Sequence, residues 1–184
     1  NVSKSISITG NGSGISIIEA NGPGSAMKIV ADWVNVTGLT LRGANDTNGW
    51  NAGINLYYVS YCIIDGNAAT GNRVGIYLEG SPDNTIINNI ASENILRGIY
   101  LNSSDGNFVD RNTANSNYVG ICVENSGVNI IKDSILIDNM YGISIYDYGS
   151  NITTGNTIDG NRISSSGSNT GIKLDSVEDN FITN

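Results

Sequence analysis

The amino-acid sequence predicts an all-β protein, a right-handed three-sheet parallel β-helix with about 22 residues per coil and roughly seven to eight coils. Three observations carry this prediction. A Gly-Ile tetrad recurs at a nearly constant interval, asparagines recur at three fixed distances from it, and apolar residues recur between the asparagines. A fixed period of about 20 to 50 residues is typical of repeat architectures.

The tetrad consists of glycine, isoleucine, any residue and an aliphatic residue. It begins at Gly53, Gly75, Gly98, Gly120, Gly142 and Gly171, with steps of 22, 23, 22, 22 and 29 residues. The segments that follow each tetrad are about five residues long and end in asparagine, which does not fit the 3.6-residue period of a helix. They are typical of short strands, so we expect each coil to pair with its neighbours about 4.8 Å above and below.

The asparagines form columns 9, 14 and 19 residues after each glycine. In the coil that begins at Gly142 these positions are Asn151, Asn156 and Asn161, which places the seven extra residues of the long step after Asn161. We expect the columns to mark corners, because asparagine tolerates left-handed backbone and its amide both donates and accepts hydrogen bonds. Stacked amides would then bond from coil to coil as scaffold. Apolar columns at positions 1, 3, 11 and 16 would face the interior.

The chain is predicted to form one β-helix domain, residues 1–184. Residues 1–52 would make irregular first coils, residues 53–170 regular coils and residues 171–184 an incomplete last coil. An incomplete coil leaves an apolar layer uncovered. We therefore expect a longer natural chain, a covering molecule, or end-to-end self-association through the terminal coils.

Composition excludes several classes of function. With 9 Lys plus Arg and a net charge of −8, the chain lacks the basic surface that nucleic acid requires. The absence of histidine excludes histidine-dependent triads, and two distant cysteines, Cys62 and Cys122, cannot assemble a zinc or copper site and should be free. No apolar run approaches the roughly 18 residues of a membrane span.

The loop of residues 43–52 interrupts the array before the first tetrad. Residues 45–49 resemble the start of a calcium loop, but Leu56 and Tyr57 stand where its closing glutamate belongs. No cofactor is therefore predicted, and a structural calcium ion has no further support. Trp50 could stack on a sugar or plug the sheet edge, and we expect it to plug the edge.

The repeat G-I-x-L-x-x-S-x-x-N-x-I-x-x-N-x-x-x-x-N resembles that of NosD-type periplasmic proteins and archaeal cell-surface β-helix proteins. It is also similar to the β-helix cores of polysaccharide lyases and glycosidases. The resemblance implies a secreted, periplasmic or cell-surface location and a carbohydrate-rich setting. A copper-delivery role does not carry over, because histidine and paired cysteines are missing.

The outward side of the tetrad strand offers the best ligand surface, because tyrosines and carboxylates alternate there along the coils. Tyrosine rings suit a pyranose face, and carboxylates suit sugar hydroxyl groups. The alternative is that these tyrosines only stabilise the sheet. The predicted carbohydrate contacts are Tyr77, Glu79, Tyr100, Asn102, Glu124 and Tyr146.

Two catalytic arrangements remain as alternatives. Glu79 and Glu124 lie two coils apart, about 9.6 Å by coil rise, near the upper limit for an inverting glycoside hydrolase. A lyase could use residues 110–111 and 132–133, where stacking would pair Asp110 with Lys132 and Arg111 with Asp133.

The sequence thus predicts an extracellular or cell-envelope β-helix module with a structural and carbohydrate-binding role and a polysaccharide or surface glycan as its partner. The alternative is a polysaccharide-degrading enzyme, or a fragment of one, that acts on an acidic cell-surface polysaccharide. No catalytic residue is assigned. A purely architectural stalk is the third possibility.

Overall fold

The computed structural model describes residues 1–46, 49–149, 153–164 and 169–183. Short strands of two to six residues follow one another along these segments, and they pair in parallel. The described residues form no helix, so none of them belongs to a helix long and apolar enough to cross a bilayer. The predicted parallel β-helix is confirmed, with about seven coils.

Three walls enclose the interior. In the described part of the chain, the seven-stranded wall consists of β3 (Met27–Ile29), β6 (Ala52–Tyr57), β9 (Val74–Glu79), β11 (Arg97–Asn102), β13 (Val119–Glu124), β16 (Tyr141–Tyr146) and β19 (Thr170–Asp175). The eight-stranded wall consists of β1 (Ser7–Thr9), β4 (Asn35–Thr37), β7 (Ile63–Asp65), β10 (Thr85–Ile87), β12 (Phe108–Asp110), β14 (Ile130–Lys132), β17 (Thr157–Asp159) and β20 (Phe181–Thr183). The third wall consists of β2 (Ile17–Glu19), β5 (Thr40–Arg42), β8 (Ala68–Ala69), β15 (Ile135–Ile137) and β18 (Arg162–Ser164), with single bridges between β8 and β15.

The interior is an aliphatic column built from equivalent positions of successive coils. Ile76 pairs with Ile99 and Ile99 with Ile121, so the tetrads stack in register. Their side chains are fully buried, as are the leucines and valines two residues later in each strand. Removal of this apolar surface from water is the main term that holds the coils together.

The asparagine columns form hydrogen-bonded ladders, as the sequence predicted. The backbone N–H of Asn89 donates to Oδ1 of Asn112 at 2.9 Å, and Nδ2 of Asn112 donates to the carbonyls of Ile86 at 2.8 Å and Asp110 at 3.1 Å. The three ladders contain Cys62, Asn84, Asn107, Asn129, Asn156 and Asn180; Asn67, Asn89, Asn112, Ser134 and Asn161; and Asn72, Asn94, Asn117 and Asn139. Each amide satisfies corner backbone groups that the strands do not reach.

Of the two predicted reasons for these asparagines, the bonding capacity of the amide is confirmed and the tolerance of left-handed backbone was wrong. The ladder asparagines are not the left-handed residues; the residue before each of them is, as at Asn88 (φ 55°) and Arg111 (φ 51°). This residue turns the chain so that the following side chain points into the corner, where the amide is buried. Asparagine is therefore selected for its amide and not for its backbone freedom.

The extra residues of the 29-residue step also lie at a different place in the coil from the predicted one. Asn156 bonds with Asn129 and Asn161 with Ser134, each 27 residues away, so both asparagines lie one column earlier than expected. Tyr146 is still in register with Glu124 at the regular distance, so five of the extra residues lie between Tyr146 and Thr153. Asn151, the predicted corner residue, lies outside the described residues.

A fourth ladder of hydroxyl groups follows the tetrad strands. Serine is part of the repeat consensus, but the sequence assigned it no role. The N–H of Ser81 donates to Oγ of Ser104 at 3.0 Å, and that of Ser104 to Oγ of Ser126 at 2.9 Å. The ladder ends at Thr153 among the described residues. Its hydroxyl oxygens accept hydrogen bonds from backbone N–H groups at the corner between the seven-stranded and eight-stranded walls.

The tetrad glycines are required by close approach between coils. A Cβ atom at Gly98 would lie 2.6 Å from the carbonyl oxygen of Gly120 and 2.7 Å from that of Ala91. These contacts are with backbone, which cannot move aside. Glycine is therefore the residue that lets adjacent coils stack here.

Candidate functional site

The outer face of the seven-stranded wall carries a second buried cluster, separate from the interior core. Because strand side chains alternate, the residues between the buried isoleucines and leucines point outward. Those of the middle coils are nevertheless covered: Ala52, Val74, Tyr77, Tyr100, Val119 and Cys122 are buried together, with Tyr141 and Tyr146 packed against them. The candidate site is built on this covered outer face of the sheet.

Trp50 and Arg97 cover two of the predicted contact tyrosines. The rings of Tyr77 and Tyr100 stack at 4.8 Å and 11°, and Trp50 lies 5.3 Å from Tyr100 and 6.4 Å from Tyr77. The guanidinium of Arg97 lies 4.1 Å above the ring of Tyr100 and 4.5 Å above that of Trp50. Both tyrosines are only 1% exposed as a result. Trp50 thus lies on the sheet face. The prediction that it plugs the sheet edge was wrong.

Glu124 is the centre of a hydrogen-bond network. Its Oε2 accepts bonds from the hydroxyl of Tyr100 and, at 2.6 Å, from that of Tyr146, which in turn accepts a bond from Arg97 at 2.9 Å. We call these four side chains the Glu124 network. Two phenols on one carboxylate oxygen hold the carboxylate in a fixed position.

The remaining predicted contacts lie beside this network. Asn102 is in register between Glu79 and Glu124, and its Nδ2 donates to the hydroxyl of Tyr77 at 3.3 Å. Glu79 and Asn102 are half-buried at the rim of the face. The structure therefore brings all six predicted side chains to one face, with the rings of Tyr77 and Tyr100 covered.

Burial keeps the phenols and the thiol of this face protonated. It raises the pKa of Tyr77 to about 12, and it also raises that of Tyr100, with the bond to Glu124 as the second cause. Burial followed by the nearby Cys122 raises the pKa of Tyr146, and burial raises that of the Cys122 thiol. At neutral pH none of them supplies a phenolate base or a thiolate nucleophile.

An open cavity of about 210 Å³ adjoins the Glu124 network. We call it the tyrosine cavity; it is lined by Arg97, Tyr118, Val119, Cys122, Tyr141, Ser144, Tyr146, Tyr148, Lys173 and Asp175. Tyr118 packs edge-on against Tyr141 at 5.6 Å, and Tyr148 packs edge-on against Tyr146 at 5.3 Å. Tyr148 is 78% exposed and Tyr118 49%, so ring surface is available to a ligand.

Charged groups line one side of this cavity. Lys173 pairs with Asp175 at 3.4 Å and lies 5.8 Å from the ring centre of Tyr141. Arg97 contributes a second cation, and its Nε has no hydrogen-bond partner among the described residues. The lining thus carries two cations and one carboxylate, and the Glu124 carboxylate lies next to it through its bond from Tyr146.

Sequence reasoning identified one of the four tyrosines of the cavity. Tyr141 and Arg97 stand directly before the tetrad glycine, a position whose side chain shares the outer face with the predicted columns. The position before the glycine therefore indicates an outward side chain, which the sequence prediction did not take into account. Tyr148 lies in the inserted segment, where no repeat position defines its direction.

The groups considered for lyase chemistry lie elsewhere. Arg111 pairs with Asp110 at 2.9 Å and Lys132 with Asp133 at 3.3 Å, so each ion pair joins neighbours in one chain segment and not adjacent coils as predicted. These residues stack in register as expected, but they lie on the eight-stranded wall. They do not contribute to the tyrosine cavity.

Ligands for a soft metal are dispersed. Cys62 is buried in the interior core and Cys122 in the outer cluster, while Met27 is buried and Met140 is 45% exposed. No three histidine, cysteine or carboxylate side chains of the described segments cluster as metal ligands would. With no histidine in the chain, these residues do not fit a copper site.

Solved structures with the same architecture include two alginate enzymes and a tailspike protein. The periplasmic alginate epimerase AlgG has a TM-score of 0.61 and 18% identity over 83% of this chain, the Dettilon tailspike protein gp208 has 0.66 and 17% over 92%, and an alginate lyase from Paenibacillus sp. str. FPU-7 has 0.55 and 16% over 97%. The chain spans 42%, 39% and 85% of these proteins. At such identities the similarity establishes the shared fold only.

No curated protein matches the chain in sequence. A family profile does match, over residues 1–184, and its description is "Periplasmic copper-binding protein (NosD)". The repeat, the parallel solenoid and this match over the whole length agree. The chain belongs to the NosD family.

Proposed function

We propose that the protein is an extracytoplasmic β-helix module that binds an acidic polysaccharide in the tyrosine cavity. The observation that carries the proposal is the cavity itself, in which four tyrosines stand beside the cations Arg97 and Lys173. Tyrosine rings contact the apolar face of a sugar, and Arg97 and Lys173 would pair with its carboxylate. The family's periplasmic description and the titles of the structural neighbours support the location and the ligand class.

The Glu124 network would serve as the fixed floor of this site. Of the predicted contacts, Tyr146 lines the cavity, and Glu79, Asn102 and Glu124 lie beside it as further contacts in the proposal. Tyr77 and Tyr100 would support these contact residues without touching the ligand, because their rings are covered. A ligand would meet side chains that are already held in place, which lowers the entropic cost of binding.

Binding is favoured over cleavage by the state of the candidate catalytic groups. The oxygen Oε2 of Glu124 already accepts two phenol hydrogen bonds, and the neighbouring phenols stay protonated. A general base needs an available acceptor near the operating pH. The bonded state of Glu124 therefore supports recognition in this proposal.

Matched oligosaccharides test the proposal. Oligosaccharides of β-1,4-linked mannuronate and of β-1,4-linked mannose differ only at C6, which carries a carboxylate in the first and a hydroxymethyl group in the second, so calorimetric titration with both isolates the contribution of the carboxylate. Tyr148→Ala should weaken mannuronate binding roughly tenfold through lost stacking. Lys173→Met should weaken mannuronate binding and leave mannose binding unchanged.

Lys132→Met is the matched control, because Lys132 is also paired with a nearby aspartate but lies on the eight-stranded wall. It should leave mannuronate binding unchanged. Wild-type affinity for mannuronate in both Tyr148→Ala and Lys173→Met would overturn the assignment of the cavity. Absence of mannuronate binding by the wild-type chain would overturn the ligand class.

A further inference from the structure

Two aromatic rings are stacked and exposed at a corner of the first coils. Trp33 lies between β3 and β4, and Tyr61 lies between β6 and β7 in the next coil. Their ring centres are 4.5 Å apart at an angle of 22°, and the residues are 64% and 48% exposed. We call this pair the Trp33–Tyr61 platform. It lies at the corner between the seven-stranded and eight-stranded walls, outside the tyrosine cavity.

Both residues occupy left-handed backbone, with φ of 60° and 58°. The strand registers place them one residue before the corner ladder, in the same position as Asp83, Gly106 and Val128 in later coils. The corner therefore imposes this conformation on the described coils from Trp33 to Asp179. Glycine, asparagine and aspartate adopt it most easily, and bulky rings adopt it with strain.

Neither backbone nor core packing accounts for the rings. They are absent from both buried apolar clusters, and Trp33 is 64% exposed and Tyr61 48%. Two rings that stack on strained backbone of successive coils without being buried point to a role in binding. Two nearly coplanar rings on an open corner present a flat apolar surface of the kind that a sugar ring covers.

The charges around the platform select against an acid. Asp32 precedes Trp33, and its Oδ1 accepts a bond from the N–H of Ser60 at 2.8 Å, next to Tyr61. Asp83 occupies the equivalent corner position of the following coil and is exposed. Carboxylates on both sides would repel a uronate, whereas hydroxyl groups of a neutral sugar donate to them.

We infer that the Trp33–Tyr61 platform is a second glycan-binding site, specific for neutral hexopyranose units. A neutral sugar stacks its C–H face on the two rings and donates hydroxyl hydrogen bonds to Asp32 and Asp83. This site is independent of the tyrosine cavity, which contains two cations and lies on coils farther along the chain. The protein would thus bind two chemically different glycan segments.

Titration of the full chain with β-1,4-linked mannose oligosaccharides tests this inference. Trp33→Asn and Tyr61→Asn should each weaken mannose binding roughly tenfold, because one of two stacking surfaces is lost. Asparagine tolerates the left-handed backbone, so both variants should fold. The same variants should leave mannuronate binding in the tyrosine cavity unchanged, whereas Tyr148→Ala should leave mannose binding unchanged.

Val128→Asn is the matched control, since Val128 is 61% exposed and has a φ of 51° at the same corner position. It should bind mannose as the wild type does. Wild-type mannose affinity in Trp33→Asn, or an equal loss in Val128→Asn, would overturn the platform as a site. Trp33 fluorescence in a Trp50→Phe background should change on mannose addition, and no change would also contradict the inference.

Discussion

The interior ladders and the Glu124 network are both columns of polar side chains stacked along the coils, yet they end in different roles. The ladder asparagines bond to backbone groups of their own and adjacent coils and also to the next amide of the ladder, as Asn89 does to Asn112. The Glu124 network bonds side chain to side chain and borders an open cavity. Repeated polar side chains that satisfy backbone hydrogen-bonding groups act as scaffold. A candidate site forms where the repeat is interrupted on an outer face of the sheet.

The largest effect is expected from breaking a ladder. Asn112→Ala would leave the buried N–H of residue 89 without its acceptor and would remove one bond each from the carbonyls of residues 86 and 110, so it should lower the free energy of unfolding by about 2 to 3 kcal/mol. Urea denaturation measures this. Asn88→Gly removes an exposed amide and keeps the left-handed turn, so it should cost less than about 1 kcal/mol. Equal losses in the two variants would remove the distinction between ladder and surface amides.

A smaller effect should follow from alkaline titration of the outer cluster. Tyr77 has an ordinary pKa of 10 that burial raises to about 12. Its unfolded phenol ionises first, so the stability it contributes is complete below pH 10 and is lost as the pH rises to about 12, at roughly 1.4 kcal/mol per unit. Urea titrations across this range should show a steeper decline for the wild type than for Tyr77→Phe. Identical slopes would contradict the burial of this phenol.

Removal of the cover over the tyrosines should cost less again. Trp50→Ala would expose the rings of Tyr77 and Tyr100 and should lower stability by about 1 to 2 kcal/mol. Near-ultraviolet circular dichroism and quenching of tyrosine fluorescence by iodide should both report the opened rings. Trp33→Asn provides the contrast, because it replaces an exposed ring at a left-handed position and should not lower stability.

The smallest change in stability is expected within the cavity wall. Tyr148 is 78% exposed, so Tyr148→Ala should shift the free energy of unfolding by about 0.5 kcal/mol or less. Its effect on mannuronate binding should nevertheless be clear. Loss of stability and of binding together would assign Tyr148 to the scaffold instead.

The fold was predictable because each column of the repeat has one physical task. Ile76, Ile99 and Ile121 stack as interior residues, and their equal spacing is visible without any structure. The hydroxyl ladder through Ser104 was visible in the same way, but a single serine in a consensus does not reveal that it accepts a backbone N–H. The repeat period shows which residues occupy equivalent positions in successive coils. Their hydrogen-bond partners become clear only in the three-dimensional structure.

The inserted segment shows why one coil was misplaced. Adjacent asparagine columns are five residues apart, and the insertion between Tyr146 and Thr153 is also five residues long. A shift by one whole column therefore leaves Asn156 and Asn161 on asparagine positions and gives no sign of an error. Hydrogen bonds to Asn129 and Ser134 resolve the ambiguity, because only one alignment satisfies the backbone.

The site was predictable only in part. Alternation placed Tyr77, Tyr100 and Tyr146 on one outer face correctly, but it could not show that Trp50 covers the first two. Trp50 comes from a loop distant in sequence, and no period relates it to the strands. Cover of this kind depends on tertiary contacts that repeat analysis does not contain.

The glycine column that lets the coils touch also fixes how far apart they lie. A methyl group at Gly98 would collide with the backbone of the next coil, so the axial pitch cannot be tuned by side-chain choice. Any polymer aligned with the axis therefore encounters protein groups at an invariant interval of about 4.8 Å. Selectivity among chain-like ligands must then be encoded in the identity of the residue at each step and cannot be adjusted through spacing.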